Sequence, residues 1–399
     1  MNSIVIINQY STTPDNGYGG RSFYISKYLV RLGYHVTLVQ ASHHHLSTND
    51  DVQEKRFKCF NCDGINVVRV KTKPYVGSTS FTRVVNWFSF MFFVCFLKFK
   101  KYCKPDVIMY SSPSLPGIFS AYFLKKKYKS KLIFDVRDVW PMTLVTVGGV
   151  SKYHPLILIL RVVEAFGYRF SDHITSNLPC FYKHIKDKEK FTWLPNGVDV
   201  DEITNPEPIP DSFYPNKKRG EFIVGYAGAL GQVNSISILL EAAKELKNIT
   251  ELFFYIVGDG KELDNLVQYA NEHELCNVKF FPKVKKKQMP EILKEFDVCY
   301  LGWKNESLYE FGISPNKLPE YFFAKKPVLH SYSGAGDLVS NAQAGITIPA
   351  ENLTELVNAI VSFKNMSPEN LNLLGVNGYN FAVSNLSYAE ISKSFSKLI

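Results

Sequence analysis

Short apolar runs alternate along this chain with longer segments of helical period, and the pattern runs through twice. A strand covered by helices on both faces reads as a continuous apolar run, so this alternation predicts parallel sheets wrapped by helices. The first series opens with a strand over 4–8, the loop Gly17-Tyr18-Gly19-Gly20-Arg21, and a helix over 22–32 ended by Gly33. Strands follow over 35–40, 66–70, 106–110, 131–136 and 173–175. The second series has strands over 222–227, 253–257, 278–281, 297–301 and 328–330, with helices over 236–246 and 262–273 between them. A chain of 399 residues exceeds one ordinary core, and the polar, Pro-rich 205–219 stretch separates the series. The expectation is an α/β protein of two doubly wound, Rossmann-like domains, 1–204 and 205–387, facing one another with the site in the cleft between them.

The segment Glu310-Phe-Gly-Ile-Ser-Pro-Asn-Lys-Leu-Pro-Glu320-Tyr-Phe carries the most chemistry. Ser314 suits an N-cap and Pro315 the first helical position, which predicts a helix opening there and ending before Pro327. Its unpaired N–H groups and positive dipole end would face the Gly312-Ile313 turn, and Lys317 would add a point charge, a cradle for phosphate. Glu320 lies one turn further on, placed to accept hydrogen bonds from a ribose. A phosphate cradle beside a diol acceptor points to a nucleotide. Taken alone, the same residues would also make an ordinary capped helix.

This segment resembles the donor-binding signature of the family-four retaining glycosyltransferases, in the subgroup reading Gly-x-Ser-Pro-Asn-Lys-Leu-x-Glu-Tyr and similar to bacterial O-antigen and capsule N-acetylfucosamine transferases. The resemblance continues in order through Gly19-Gly20, Arg137-Asp138-Val-Trp140-Pro141, Pro195-Asn-Gly-Val-Asp199, Gly228-Ala-Leu-Gly231 and Gly258-Asp-Gly260. It implies a GT-B fold whose last helix, 388–399, returns to the first domain. It also implies that Gly19, Gly20, Gly228, Gly231, Gly258, Val284, Glu310, Gly312, Ile313, Ser314, Asn316, Lys317, Leu318 and Glu320 surround a nucleotide-sugar donor. Arg137 and Asp138 would contact the acceptor, Asp138 as a base unless the departing phosphate takes the proton. No cofactor or metal is implied, and the donor would be a UDP-sugar. Two departures stand out. Many relatives carry a Glu where this chain has Gly312, with Glu310 the nearest carboxylate. Many also carry an Arg and a Lys where this chain reads Gln232-Val-Asn-Ser235, which leaves Lys317, helped by Arg21, to supply the positive field.

From the residues alone, Arg137 beside Asp138 also reads as a structural ion pair, and Gly17–Gly20 fails as a dinucleotide fingerprint because Ser22 stands where the third glycine belongs. Asp199-Val-Asp201 has the look of a metal-binding pair in a different glycosyltransferase fold, but a turn explains it. Cys59-Phe-Asn-Cys62, with His43-His44-His45 upstream, has metal-ligand spacing without a second cysteine pair, and a polar loop is expected instead.

A net charge of +9 favours anionic partners. The aromatic stretch 84–99 is shorter than the ~20 apolar residues of a membrane span. With lysines over 98–101 and 125–131, it reads either as a helix lying on an anionic membrane or as a core helix with a solvated charged face. Seven scattered cysteines and no signal peptide fit a cytoplasmic protein, here one attached to the inner face of the membrane. The resemblance then implies transfer of a sugar to a polyprenyl-diphosphate-linked saccharide, with domain closure limiting donor hydrolysis. The alternatives are a nucleotide-sugar epimerase of the same fold and a non-catalytic membrane-associated scaffold. A nucleic-acid partner is not expected, since no recognition module accompanies the basic residues.

Overall fold

The computed structural model describes residues 2–17, 19–44, 47, 55–75, 81–99, 104–146, 148–209 and 220–399. Tyr18, His45, Lys100, Lys101 and most of the expected 205–219 boundary lie outside them. The chain divides into two units, Met1–Pro195 with Tyr388–Ile399, and Asn196–Ser387. The division falls just after Pro195, upstream of the expected 204, because Asn196 already bonds within the second unit, to Ser314.

Unit one holds strands β1 (Ser3–Ile7), β2 (His35–Ala41), β3 (Phe57–Cys62), β4 (Ile65–Val70), β5 (Val107–Ser111), β6 (Lys131–Val136), β7 (His173–Ser176) and β8 (Phe191–Trp193). They line up as β3-β4-β2-β1-β5-β6-β7-β8, parallel throughout except for the β3–β4 hairpin. The order reverses between β1 and β5, so the loops after these two strands open at the switch point where α/β sheets bind ligands, with the loop after β6 next to them. The Arg21–Arg31 helix covers this sheet beside the C-terminal Tyr388–Ser396 helix. Tyr24 stacks on Tyr388 at 5.0 Å, and Ser392 Oγ donates to the Ile25 carbonyl at 3.3 Å.

Unit two holds β9 (Phe222–Ala227), β10 (Leu252–Val257), β11 (Val278–Phe281), β12 (Val298–Gly302), β13 (Val328–Ser331) and β14 (Gly345–Ile348). Their order is β11-β10-β9-β12-β13-β14, all parallel, with the reversal between β9 and β12. That is the strand order of a dinucleotide-binding sheet, and it places the turn after β9 at the switch point.

Three expectations are corrected here. Cys59 and Cys62 lie in β3, not in a loop, and three positions apart on a strand their side chains face opposite ways. His43 and His44 are bonded to the Tyr75 and Ser11 carbonyls. Within the 84–99 stretch the helix runs over Phe81–Val94, with Trp87, Phe90 and Val94 buried and Val85, Phe88 and Phe92 exposed. The last helix ends at Ser396, short of Ile399.

Candidate functional site

The turn after β9 lies against Lys317 of the Lys317–Phe323 helix and the turn after β10 against the turn after β9, and three glycines permit these approaches. Gly228 has φ +151°, and a Cβ there would sit 2.0 Å from Lys317 Cε, so only glycine lets this lysine cross the turn. Gly258 has φ +152°, and its Cβ would meet the Gly228 carbonyl oxygen at 1.9 Å. A Cβ on Gly260 would strike the Leu230 carbonyl at 2.2 Å. Gly231 differs, since its Cβ would meet only Asn234 Nδ2 at 3.8 Å. The Tyr321 hydroxyl fastens the helix to β9, accepting from Ala227 N at 3.1 Å and donating to Ala227 O at 3.2 Å.

Lys317 is thereby fixed. Its Nζ donates to Asn234 Oδ1 at 3.1 Å and lies 4.8 Å from the centre of the Tyr226 ring, and Asn234 is itself anchored on the Ala229 carbonyl. Loss of water lowers the Lys317 ammonium to about 8, against a smaller opposing pull from Glu320. Glu320 lines a cavity of about 220 Å³ with Glu202, Lys286, Met289 and Leu293. Desolvation raises its carboxyl to about 7; Lys286 acts against the rise and Glu202 with it. Among the described residues, no hydrogen bond or ion pair holds the Glu320 carboxylate. Lys286 instead pairs with Glu202 at 3.0 Å. A half-buried ammonium and a half-buried carboxyl, one turn apart and both pushed towards neutrality, suit a ligand carrying an anion and a diol.

The helix itself departs from expectation. It starts at Lys317, Asn316 precedes it without a side-chain cap, and Pro319 in its first turn has no N–H. Ser314 is therefore no N-cap; its Oγ accepts from Asn196 N at 3.0 Å and its carbonyl from Asn196 Nδ2 at 2.7 Å. With two turns and a proline, less rests on the helix dipole and more on Lys317. Gly312 has φ +86°, a conformation a Glu would enter only with strain. Glu310 is exposed on the preceding Ser307–Phe311 turn. Ile313 and Leu318 are buried, and Asn316 and Val284 are exposed and half-buried.

Gly19 and Gly20 lie in unit one, after β1. Gly19 needs its φ of +62°, whereas a Cβ on Gly20 would meet nothing. Arg21 is corrected outright. It is buried, pairs with Asp135 at 2.7 Å and donates to the Leu194 carbonyl at 2.6 Å, so it is committed to the fold. Ser111 and Thr175 hydroxyls also donate to Asp135, at 2.8 and 2.9 Å. Asp138 is held by donors of its own loop: Val139 N at 2.9 Å, Trp140 Nε1 at 3.1 Å and Thr143 Oγ1 at 2.8 Å. These bonds stand in place of the alternative reading of Asp138 as the ion-pair partner of Arg137. The Arg137 guanidinium is depressed from its ordinary value by burial first and by Arg21 next. Asp199 caps the Val200–Thr204 helix by accepting from Asp201 N at 3.2 Å.

Asn196, Asn234, Tyr226 and Lys286 were not foreseen. Asn196 sits in the Pro-Asn-Gly turn and Asn234 in the cation-poor stretch after Gly231, so both lay within segments already of interest.

Two Rossmann-like units, one carrying this cradle, define a protein of the GT-B class, and comparison with known proteins agrees. Residues 16–202 match the model of Glycosyltransferase Family 4, and residues 221–365 that of Glycosyl transferases group 1. The first unit is thus similar to a Glycosyltransferase Family 4 domain and the second to a group 1 glycosyltransferase domain. A protein of Escherichia coli (strain K12), provisionally named as the colanic acid biosynthesis glycosyl transferase WcaI, is 35% identical over 232 residues. That match covers 54% of each chain, so it spans about half the length of the curated relative. Among solved structures, sucrose-phosphate synthase from Thermosynechococcus elongatus superposes with TM-score 0.72 at 15% identity, over 100% of this chain and 98% of that one. HepE of Anabaena, in complex with UDP and glucose, gives 0.66 at 16% identity, over 100% and 99%. WaaG, a glycosyltransferase involved in lipopolysaccharide biosynthesis, gives 0.62 at 16%, over 98% of both chains. At these identities the likeness is one of fold.

Proposed function

We propose that the chain is a retaining, metal-independent glycosyltransferase that takes a sugar, an N-acetylated deoxyhexosamine, from a UDP-sugar. Its acceptor is a hydroxyl of a polyprenyl-diphosphate-linked saccharide, in bacterial O-antigen or capsule synthesis at the cytoplasmic face of the membrane. The observation that carries this reading is Lys317 lying across Gly228 while Glu320 lines a cavity one helical turn away. The names of WcaI and WaaG support a role in surface polysaccharide, and the HepE complex supports UDP.

In this reading the diphosphate sits against the Gly228 and Gly258 turns and Lys317, and the ribose hydroxyls donate to Glu320. The bond between the anomeric carbon and the β-phosphate oxygen breaks, and a bond from that carbon to the acceptor oxygen forms on the same face. Lys317 stabilises the charge gathering on the departing UDP, a contribution of a few kcal/mol by analogy with oxyanion sites. Asp138 accepts from Val139 and Thr143 on Oδ1 and from Trp140 on Oδ2, which fixes the acceptor loop and leaves one acceptor position on Oδ2. In this reading the acceptor proton passes to the departing phosphate oxygen, and Asp138 positions the acceptor loop with Arg137.

Calorimetric titration with UDP, GDP and ADP, repeated on Glu320→Ala, tests the reading. Micromolar binding of UDP alone, weakened by the substitution, is the expected outcome. Selective binding of GDP or ADP would replace the donor, and no binding of any would end the proposal.

A further inference from the structure

Three helices on one side of unit one carry an outer face that the sheet does not bury. On the Phe81–Val94 helix, Val85, Phe88 and Phe92 are exposed at positions that fall on one stripe. On the Ile118–Tyr128 helix the stripe is Phe119 and Phe123, leading to Lys126. On the Pro155–Phe170 helix it is Leu158, Ile159 and Val162, of which Ile159 is 59% and Val162 70% exposed. The stripes join. Residues of all three helices, Phe88, Phe119 and Ile159 among them, line one groove of about 340 Å³. Phe119 packs on Phe166 at 4.7 Å, and Phe166 on Phe170 at 4.6 Å. Scattered exposed apolar residues need no explanation, but a contiguous aromatic and aliphatic face does.

The charges around it have one sign. Lys126, Lys127, Lys129, Arg161 and Arg169 are exposed on or next to these helices. The nearby acids are committed: Glu164 is buried and accepts from Tyr168 and His184, and Asp172 pairs with Lys125 at 2.7 Å. A second copy of the chain would set this basic rim against itself across a two-fold axis, which disfavours self-association. An anionic bilayer supplies both what the rim lacks and what the aromatic centre needs.

We propose that the outer face of the Phe81–Val94, Ile118–Tyr128 and Pro155–Phe170 helices docks the protein on an anionic lipid bilayer. This deepens the proposed function by naming the membrane-facing surface and adds the Pro155–Phe170 helix, which the sequence did not point to. It rests on that function only for the setting, because vesicle binding needs neither donor nor turnover. No helix among the described residues is long and apolar enough to cross a membrane, so docking is peripheral.

The test is flotation of the full chain with vesicles of phosphatidylcholine alone or with phosphatidylglycerol added. Binding to the anionic vesicles only is expected, weakened on the order of tenfold by the charge reversal of the exposed pair Lys126→Glu/Arg161→Glu. Ile159→Asp/Val162→Asp should abolish it, with UDP affinity and the thermal melt of both variants unchanged. Should the apolar variant misfold, the charge variant decides alone. Absence of binding, equal binding to neutral vesicles, indifference to the charge variant, or a dimer that the variants dissociate without any vesicle binding would each overturn the proposal.

Discussion

The two units each carry charged side chains out of full contact with water, and treat them in opposite ways. In unit one, the Arg21–Asp135 pair is closed: Asp135 also accepts from Ser111 and Thr175, and Arg21 also reaches the Leu194 carbonyl. In unit two, Lys317 has one neutral acceptor, Glu320 has no bonding partner among the described residues, and burial drives both towards neutrality. A satisfied pair belongs to the fold. An unsatisfied pair beside a cavity costs stability in the free protein and recovers it only when a ligand arrives. Substitutions in the two clusters should therefore move stability and binding in opposite directions.

The largest effect is expected at Asp135. Asp135→Ala leaves the Arg21 guanidinium buried without its counter-charge, which costs about 3–5 kcal/mol. Urea denaturation followed by circular dichroism should show a midpoint shifted far down. An unchanged midpoint would mean that the network contributes nothing to folding. Lys317→Met comes next and separates the clusters: the stem still packs, so the melt should hold or rise, while turnover should fall about 10²–10³-fold. A melt lowered as far as that of Asp135→Ala would make Lys317 a structural residue. Since its ammonium titrates at about 8, UDP affinity of the parent protein should also weaken as pH rises through that value.

Glu320→Gln is the third case, and its sign depends on pH. The carboxyl moves from 4.5 unfolded to about 7 folded, so between those values the folded protein binds more protons than the unfolded. This group's contribution to stability therefore falls as pH rises from 4.5 to about 7 and stays low above it. Replacing it with a neutral amide should raise the melting temperature at pH 8, with the gain disappearing towards pH 4.5, while UDP affinity drops about tenfold or more. A variant less stable than the parent at pH 8 would contradict the idea that Glu320 is held at a cost. Gains in stability bought with function mark sites built for a ligand.

How far the sequence revealed this contrast follows from where residues sit in the sheets. The central strands were readable because burial on both faces leaves unbroken apolar runs such as Ile4–Ile7, buried throughout β1. The strands passed over, β3, β8 and β14, are all sheet edges or neighbours of one, with partly exposed patterns. An edge strand pairs on one side only and keeps polar residues, so its signal weakens. In the site, Lys317 and Glu320 could be picked out because one turn of helix brings them together and the segment around them resembles a donor-binding signature. The helix start could not be, because the bonds from Asn196 to Ser314 join residues far apart in sequence. Nor could Arg21 be assigned, because its partner Asp135 lies on β6, far away in sequence.

The smallest effect sharpens the comparison inside the cradle itself. Gly228 and Gly231 flank the same turn and look equivalent in sequence, yet only Gly228 has positive φ and a side chain pressed against it. Gly231 has φ −121°, ordinary for any residue, and room for a methyl group. Gly231→Ala should therefore change stability by no more than about 0.5 kcal/mol and leave UDP affinity within twofold, as for a substitution that meets no special feature. Gly228→Ala should displace Lys317 and lose most binding. If Gly231→Ala alone abolished UDP binding while the melt held, the ligand itself would occupy the space over Gly231, and the diphosphate would lie further along the turn than Lys317 places it.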